Sequence, residues 1–314
     1  MLWGLFKPFL KLPLFNRGPS PMRAEDEVVR RLAEAAGNAD LLDADAAGPD
    51  GIIVNIDGYS ASRSRLPFMS WEDWGYKAVI GAASDVVAAG GRPVAVAFSL
   101  GAPSLDVLEP VARGVGQAAS AIRAKVYKGD SNRSDSDTWI DVAVVGLAGR
   151  QVRRSGARPG DVLVQVGYVG YGYVASLILA SRLSPAEAPR AALDRARRPS
   201  LHVDAWEAIS RYATSASDNS DGWAATLYNI AESSGVRIEL ETVVVDPELG
   251  GLVNEELALQ SWEDYSIAVT VPERDVDRFI STCGGPCWPV GRVREGSGVY
   301  LRGKRVEPEG WSWW

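Results

Sequence analysis

Histidine is nearly absent from this 314-residue chain: the one present is His202. That nearly excludes a Ser/His/Asp triad or a histidine-rich zinc site. Cysteine is almost as scarce. Cys283 and Cys287, within CGGPC, are too few for a zinc site of four thiolates. Two reduced thiols are the plain expectation, with a disulfide the alternative. Neither a G-x-x-x-x-G-K-[ST] phosphate loop nor a protein-kinase catalytic loop occurs. Long apolar runs are missing too. The apolar start MLWGLFKPFLKLPLF is broken by Lys7, Pro8, Lys11 and Pro13. It falls short of the roughly 20 residues of a membrane span, and no small-residue cleavage site follows it. Residues 1–22 therefore read as an arm, packed on a neighbour or in loose contact with a membrane. Positive charge is also in deficit, with 33 Lys and Arg against 40 Asp and Glu, a net charge of −7. A nucleic-acid partner is not expected, because phosphate backbones need a basic face. With no membrane span, a cytoplasmic location is expected.

What is present is a globular composition, 46% hydrophobic and 23% charged, long enough for two domains of roughly 150 residues. Helical periodicity covers Arg23–Ala36, Trp71–Ala89, Leu105–Ala124, Tyr173–Ser181, Val203–Ala213 and Gly222–Ser234. Strands are predicted over GIIVNID, VAVAFSL, AKVYKGD (running into a loop at Asp130), TWIDVAVVGLAG, VLVQVG, VRIELETVVV, YSIAVTVP, WPVGRV and VYLRG. SGARPGD, Ser155 to Asp161, has the Gly and Pro content of a hinge. GYVGYG, Gly167 to Gly172, reads as a tight strand-to-helix turn. The expected fold is α/β (α+β) in two domains: an arm over 1–22, an N-terminal sheet domain over 23–152 and a layered C-terminal α/β domain over 153–314.

Carboxylates supply the chemistry. LLDADAA holds Asp43 and Asp45, NID ends a strand at Asp57, YKGDSNR holds Asp130, and DNSDG holds Asp218 and Asp221. Singly, each suits a cap or an Asx turn. Asp85 differs. It lies between Ala82–Ala83 and Val86–Val87 on an apolar helix, where an unpartnered carboxylate is costly and calls for a cation. Together, such a set can hold magnesium, which takes oxygen ligands and bridges to phosphate. Gly129 beside Asp130 lets a backbone approach a phosphate.

In their order, these motifs resemble thiamine-monophosphate kinase, in the superfamily of aminoimidazole-ribonucleotide synthetase and selenophosphate synthetase. The family's GDDAA corresponds to DADAA, its NLSDIAAMGARP to AASDVVAAGGRP, and GGDTTR to KGDSNR. RSGARPGD is present as Arg154 to Asp161, ISDGL corresponds to NSDGW, GGEDYEL to SWEDYSI, and the terminal aromatic motif to GWSWW. The match runs from about residue 24 to the end.

The resemblance implies ATP and Mg²⁺ as cofactors and thiamine monophosphate as acceptor. It also implies a homodimer joined through the N-terminal sheets, with the ATP site at the interface. By position, Asp45, Asp57, Asp85, Asp130, Asp218 and Asp221 would ligate metal, and Asp57, Asp130 and Asp221 would be catalytic. Gly129, Asp130, Arg154 and Ser220 would contact ATP; Ser64, Glu263 and Trp311 would contact the acceptor. The chain departs from the family chiefly on the acceptor side. Asn55 and Ile56 replace Ser and Thr, Ala44 replaces the first Asp of GDDAA, and the substrate-contacting His falls at Ser64. Ser261–Trp262–Glu263–Asp264 stands where the family has GGED. Another acceptor within the superfamily is one alternative reading, and a non-catalytic nucleotide-binding scaffold is another.

Overall fold

The computed structural model describes residues 24–37 and 43–307. The N-terminal arm and the terminal tryptophans Trp311, Trp313 and Trp314 lie outside the described residues. The first half runs α1 (Ala24–Ala35), β1 (Ile52–Ser60), α2 (Ala61–Ser64), α3 (Trp71–Ala88), β2 (Arg92–Ala102), α4 (Leu105–Ala121), β3 (Lys125–Arg133) and β4 (Trp139–Leu147). Its four strands form one sheet in the order β1-β4-β2-β3. The second half runs β5 (Val162–Val166), α5 (Tyr171–Leu179), α6 (Arg190–Arg197), α7 (Ala205–Tyr212), β6 (Ser215–Asp218), α8 (Trp223–Ser234) and β7 (Arg237–Leu240). It continues through α9 (Glu255–Ala258), β8 (Ile267–Val271), α10 (Val276–Thr282), β9 (Cys287–Arg294), β10 (Gly298–Leu301) and β11 (Lys304–Arg305). These seven strands form a second sheet, β11-β10-β7-β9-β5-β8-β6. Mixed sheets with helices laid on them make the α/β architecture expected from the sequence. Among the described residues no helix is long and apolar enough to cross a membrane.

Local chemistry sets the boundaries. Ser70 opens α3 with a reciprocal capping box to Asp73, and Gly90, at φ +80°, follows its end. Helices α3 and α4 touch backbone to backbone because two glycines face each other across them. A Cβ on Gly114 would stand 1.9 Å from the Glu72 carbonyl oxygen, and one on Gly75 would stand 2.3 Å from that of Val111. Strand period does the rest. In β1, Ile53 is buried under α3, while Ile52, Val54 and Ile56 project from the opposite face, Ile56 with 67% exposure. Leu147, paired with Ile52, is exposed beside them. The first sheet thus has one covered face and one apolar face open to solvent.

Two strands differ from their sequence prediction. VRIELETVVV gives only β7, because the amides of Glu241 and Thr242 both donate to Val290 O and the ladder ends there. Thr242 and Val243 then turn to the Glu255 carboxylate. In the other direction, β3 does not stop at Asp130 but stays paired with β2 through Arg133. GYVGYG is a strand-to-helix turn. Gly170 has φ +125°, and a Cβ on Gly172 would lie 1.7 Å from Trp262 O. Cys283 and Cys287 are buried free thiols.

The close approach of α3 and α4 gives a paired test. Gly114→Ala is expected to destabilise the protein by about 1–3 kcal/mol, the usual range for overpacking. Gly116→Ala, two residues on and facing open space, is expected to be neutral or to stabilise by up to about 1 kcal/mol. Urea unfolding of both variants checks this; equal midpoints would contradict the packing.

Candidate active site

Four separate segments converge between the two sheets. Asp45 arrives from the loop before β1, Asp57 from β1, Asp85 from α3, and Asp218 from the end of β6. Carboxylate oxygens of Asp45, Asp85 and Asp218 lie within 4.8 Å of one another. Arg154 Nε donates to Asp45 Oδ1 at 2.5 Å, and the Asp218 amide donates to Asp45 Oδ2 at 2.8 Å. Ser84 Oγ donates to Asp218 Oδ2 at 2.5 Å. The Asn55 side-chain amide donates to Asp85 Oδ2 at 2.6 Å. The one guanidinium in this network is set against three carboxylates, a balance that invites a further cation.

Burial dominates the electrostatics. It pushes Asp57 up to about 6, against hydrogen bonds from Asn55 and Tyr59. It raises Asp85 well above the usual carboxylate range, and the charges of Asp218, Asp57 and Asp45 push further. Asp218 is raised by burial and then by Asp45. Burial pulls Arg154 down, but the charge and hydrogen bond of Asp45 overcome it, so its pKa ends above normal.

A cavity of about 800 Å³ opens from this cluster and is lined by Asp45, Asp57, Asp85, Arg154, Ser220 and Asp221 at one end. Arg63, Ser64, Trp262 and Glu263 line it as well, as do Tyr59 and Tyr265. The DNSDG loop is shaped by Asn219, whose side chain accepts from Gly222 N and donates to Ser261 O. That bond pattern leaves Ser220 and Asp221 at the cavity wall. Gly81 on α3 gives the Tyr59 hydroxyl its room: a Cβ there would lie 2.1 Å from that oxygen.

Not every expected residue is gathered here. Asp130 and Gly129 lie on β3, the edge opposite β1, three strand spacings or about 14 Å away. Pairing of Ser99 with both Asp130 and Asp141 places Asp130 on the open apolar face of the sheet. Asp57 projects from the other face, since it alternates with the outward-pointing Ile56. Ser64 reaches the wall, but its hydroxyl is engaged: it donates to Ser60 O at 2.9 Å and accepts from Trp74 Nε1 at 2.8 Å. Glu263 also has an internal partner, Lys77 Nζ, on α3. Burial raises Glu263, with the Lys77 charge opposing. Trp311 lies outside the described residues.

Sequence reading missed Lys77, Ser84, Tyr59, Tyr265 and Asp141. Lys77 carried the same signal as Asp85, a charge within an apolar helix, and it is 2% exposed. Asp141 lines the cavity from β4 and is raised by burial. It crowds Gly58, where a Cβ would meet its Oδ1 at 2.6 Å.

Comparison with known proteins sets this geometry in a family. The chain is 35% identical over 253 residues to thiamine-monophosphate kinase of Pyrococcus abyssi, covering 76% of this chain and 77% of that protein. It is 32% identical over 292 residues to the Pyrococcus horikoshii enzyme of the same name, covering 88% and 91%. A solved structure described as AaThiL complexed with AMPPCP and TMP superposes with a TM-score of 0.81 at 29% identity, covering 93% of this chain and 99% of that one. Residues 36–148 match the family description "AIR synthase related protein, N-terminal domain", and residues 158–304 match its C-terminal domain. Carrying both halves in order, the chain belongs to the AIR synthase related protein family.

Proposed function

We propose that this protein is a cytoplasmic, magnesium-dependent kinase that transfers the γ-phosphoryl group of ATP to the phosphate of thiamine monophosphate, giving thiamine diphosphate and ADP. The observation that carries this reading is the clustering of Asp45, Asp85 and Asp218 within 4.8 Å of one another, with Asp45, Asp85 and Arg154 at the cavity wall. Its relatives bear the name of that kinase, and the superposable structure holds AMPPCP, an ATP analogue, with TMP.

The donor set fits magnesium. It is all oxygen, the carboxylates lie close enough to share a cation, and burial makes them costly without one. Asp45, Asp85 and Asp218 would hold it, with Asp57 and Asp221 facing the same space. When bound, magnesium supplies neutralising charge to phosphate oxygens that gain negative charge during transfer. Arg154, fixed by Asp45, presents a permanent cation to the same oxygens. Ser220 lies at the wall beside Asp221 and offers a hydroxyl to a nucleotide phosphate. The acceptor is itself an anionic oxygen nucleophile. No general base is required, which suits a site without histidine, and positioning with electrostatics does the catalytic work.

The acceptor identity has one competitor. Glu263 is neutralised by Lys77 and the Ser64 hydroxyl is engaged inside the protein. Both favour a second reading, a different phosphorylated acceptor in the same cavity. Turnover across a panel of phosphorylated acceptors decides between them: thiamine monophosphate is expected to give the highest kcat/KM. A higher value for another acceptor would displace it.

A homodimer completes the proposal. The exposed Ile52, Val54, Ile56 and Leu147 form an apolar sheet face of the sort that a second copy covers. Asp130 and Gly129 lie on that sheet, so a partner would carry them toward the other chain's cavity. Asp130→Asn and Asp85→Asn homodimers are each expected to lose most activity. Mixed and re-equilibrated, they are expected to recover roughly a quarter of the wild-type rate, because half the dimers are hybrids with one intact site. No recovery would place Asp130 in its own chain's site, and an active Asp130→Asn homodimer would place it in none.

Protons report on the metal ligands. Burial pushes Asp57 up to about 6, and it raises Asp85 and Asp218 above the usual carboxylate range. A raised pKa means that protons compete with a cation, so magnesium affinity is expected to fall as pH drops through about 6. Binding is expected to release protons. Magnesium calorimetry in buffers of different ionisation enthalpy, at about pH 5 and about pH 8, measures both. An affinity independent of pH would remove these carboxylates from the metal site.

A further inference from the structure

We infer that Arg63 is a specificity-determining residue that grips the phosphate of the acceptor, an inference that rests on the kinase reading of the same cavity. Among the described residues two arginines line the cavity, Arg154 and Arg63. Arg154 is committed to Asp45 at 2.5 Å. Arg63 is exposed and has no hydrogen-bond or ion-pair partner among the described residues.

Its mounting is what separates Arg63 from an ordinary surface arginine. It rides on α2, a single turn of helix that directly continues β1. Every neighbour of Arg63 on that turn is tied down. The Ala61 amide donates to Thr138 O at 2.8 Å. Ser62 Oγ donates to Asp137 Oδ2 at 2.6 Å. Ser64 is held by Ser60 O and Trp74 Nε1. Next in the chain, Arg65 lies over the Trp71 ring at 4.5 Å and donates to Met69 O at 2.5 Å. In the basic run Arg63–Ser64–Arg65, the second and third residues are used by the fold and the first is left over the cavity. A fixed backbone with one free guanidinium is a preorganised anion site, and a guanidinium forms two parallel hydrogen bonds with a phosphate.

Position assigns that anion to the acceptor rather than the nucleotide. Arg63 sits at the Ser60 end of β1, and Lys77 joins the neighbouring Ser64 carbonyl oxygen to Glu263. Asp57 lies three residues back from Ser60 along the strand, about 10 Å from that end, toward Asp45 and Arg154. Carboxylates otherwise dominate the cavity wall. A phosphate entering from the Glu263 side therefore meets Arg63 as its nearest unpaired cation.

The test uses the full-length protein and its Arg63→Ala and Arg63→Lys variants, each checked for unchanged melting temperature. Thiamine monophosphate, thiamine and AMPPCP with magnesium are titrated separately by calorimetry. Inorganic phosphate is titrated by phosphorus NMR in the presence of a chelator. Arg63→Ala is expected to weaken thiamine monophosphate and inorganic phosphate by about ten-fold or more, with thiamine and AMPPCP unchanged and Arg63→Lys intermediate. Equal phosphate affinity in wild type and Arg63→Ala would overturn the inference, as would an equal loss for AMPPCP. A wild-type protein that binds phosphate through Arg63 but not thiamine monophosphate would sink the acceptor named above and leave Arg63 as a phosphate site.

Discussion

The structure depends on three carboxylates being forced together out of water. Asp45, Asp85 and Asp218 are brought from the loop before β1, from α3 and from β6, and their oxygens lie within 4.8 Å of one another. Like charges at such a distance repel, and burial adds to the cost. Arg154 compensates part of it through Asp45. Ser84 and Asn55 hydrogen-bond Asp218 and Asp85 without adding charge. The remainder is met either by protonation, as the raised pKa values indicate, or by a cation. The second solution releases the stored repulsion into binding, so the same arrangement that weakens the unliganded fold strengthens the site's hold on a divalent metal.

This constraint also fixes how the two sheets meet. Asp85 and Ser84 belong to the helix that covers the first sheet, whereas Asp218 ends a strand at the edge of the second. Lys77 and Glu263 repeat the pattern further along α3, joining the same helix to the loop before β8. Glu72 and Asp73, at the start of α3, add ion pairs to Arg198, so one helix carries several polar contacts to the other half. A buried charge pair contributes little net stability, but its geometry penalises any other docking of the two halves.

Much of the site was legible in the sequence because charge in an apolar context is conspicuous. Asp85 among alanines and valines called for a cation, and the structure gives it the carboxylates of Asp45 and Asp218 as neighbours. Lys77, in the same helix, carried the same signal; its partner Glu263 is 186 residues away, and periodicity has no access to that separation. Helices α3 and α8 were read nearly to their ends, since capping and glycine chemistry are local. Strand β6 was not read. Ser215, Ala216 and Ser217 have little intrinsic preference for a strand, and its formation comes from pairing with β8. Asp130 shows the same limit from the other side. Its motif was plain, but its distance from Asp57 is set by strand order, which is a property of topology.

Strand β1 shows how closely site and surface are bound together. Its alternation sends Asn55, Asp57 and Tyr59 toward α3, where they meet Asp85 and the gap left by Gly81. The same alternation sends Ile52, Val54 and Ile56 outward. A slip of one residue would exchange the two sets, placing isoleucines among the carboxylates and Asp57 on the open face. Register is therefore specified twice, by chemistry on one side and by apolar character on the other. Ile56 stands where the resembling family has a hydroxyl residue, and it is the most exposed of the three isoleucine and valine side chains on that face. The substitution removes a polar group from the edge of the cavity and adds apolar area to the open face. On the covered face Asn55 donates to Asp85 and Tyr59 donates to Asp57, so hydrogen bonds from β1 itself orient the two carboxylates.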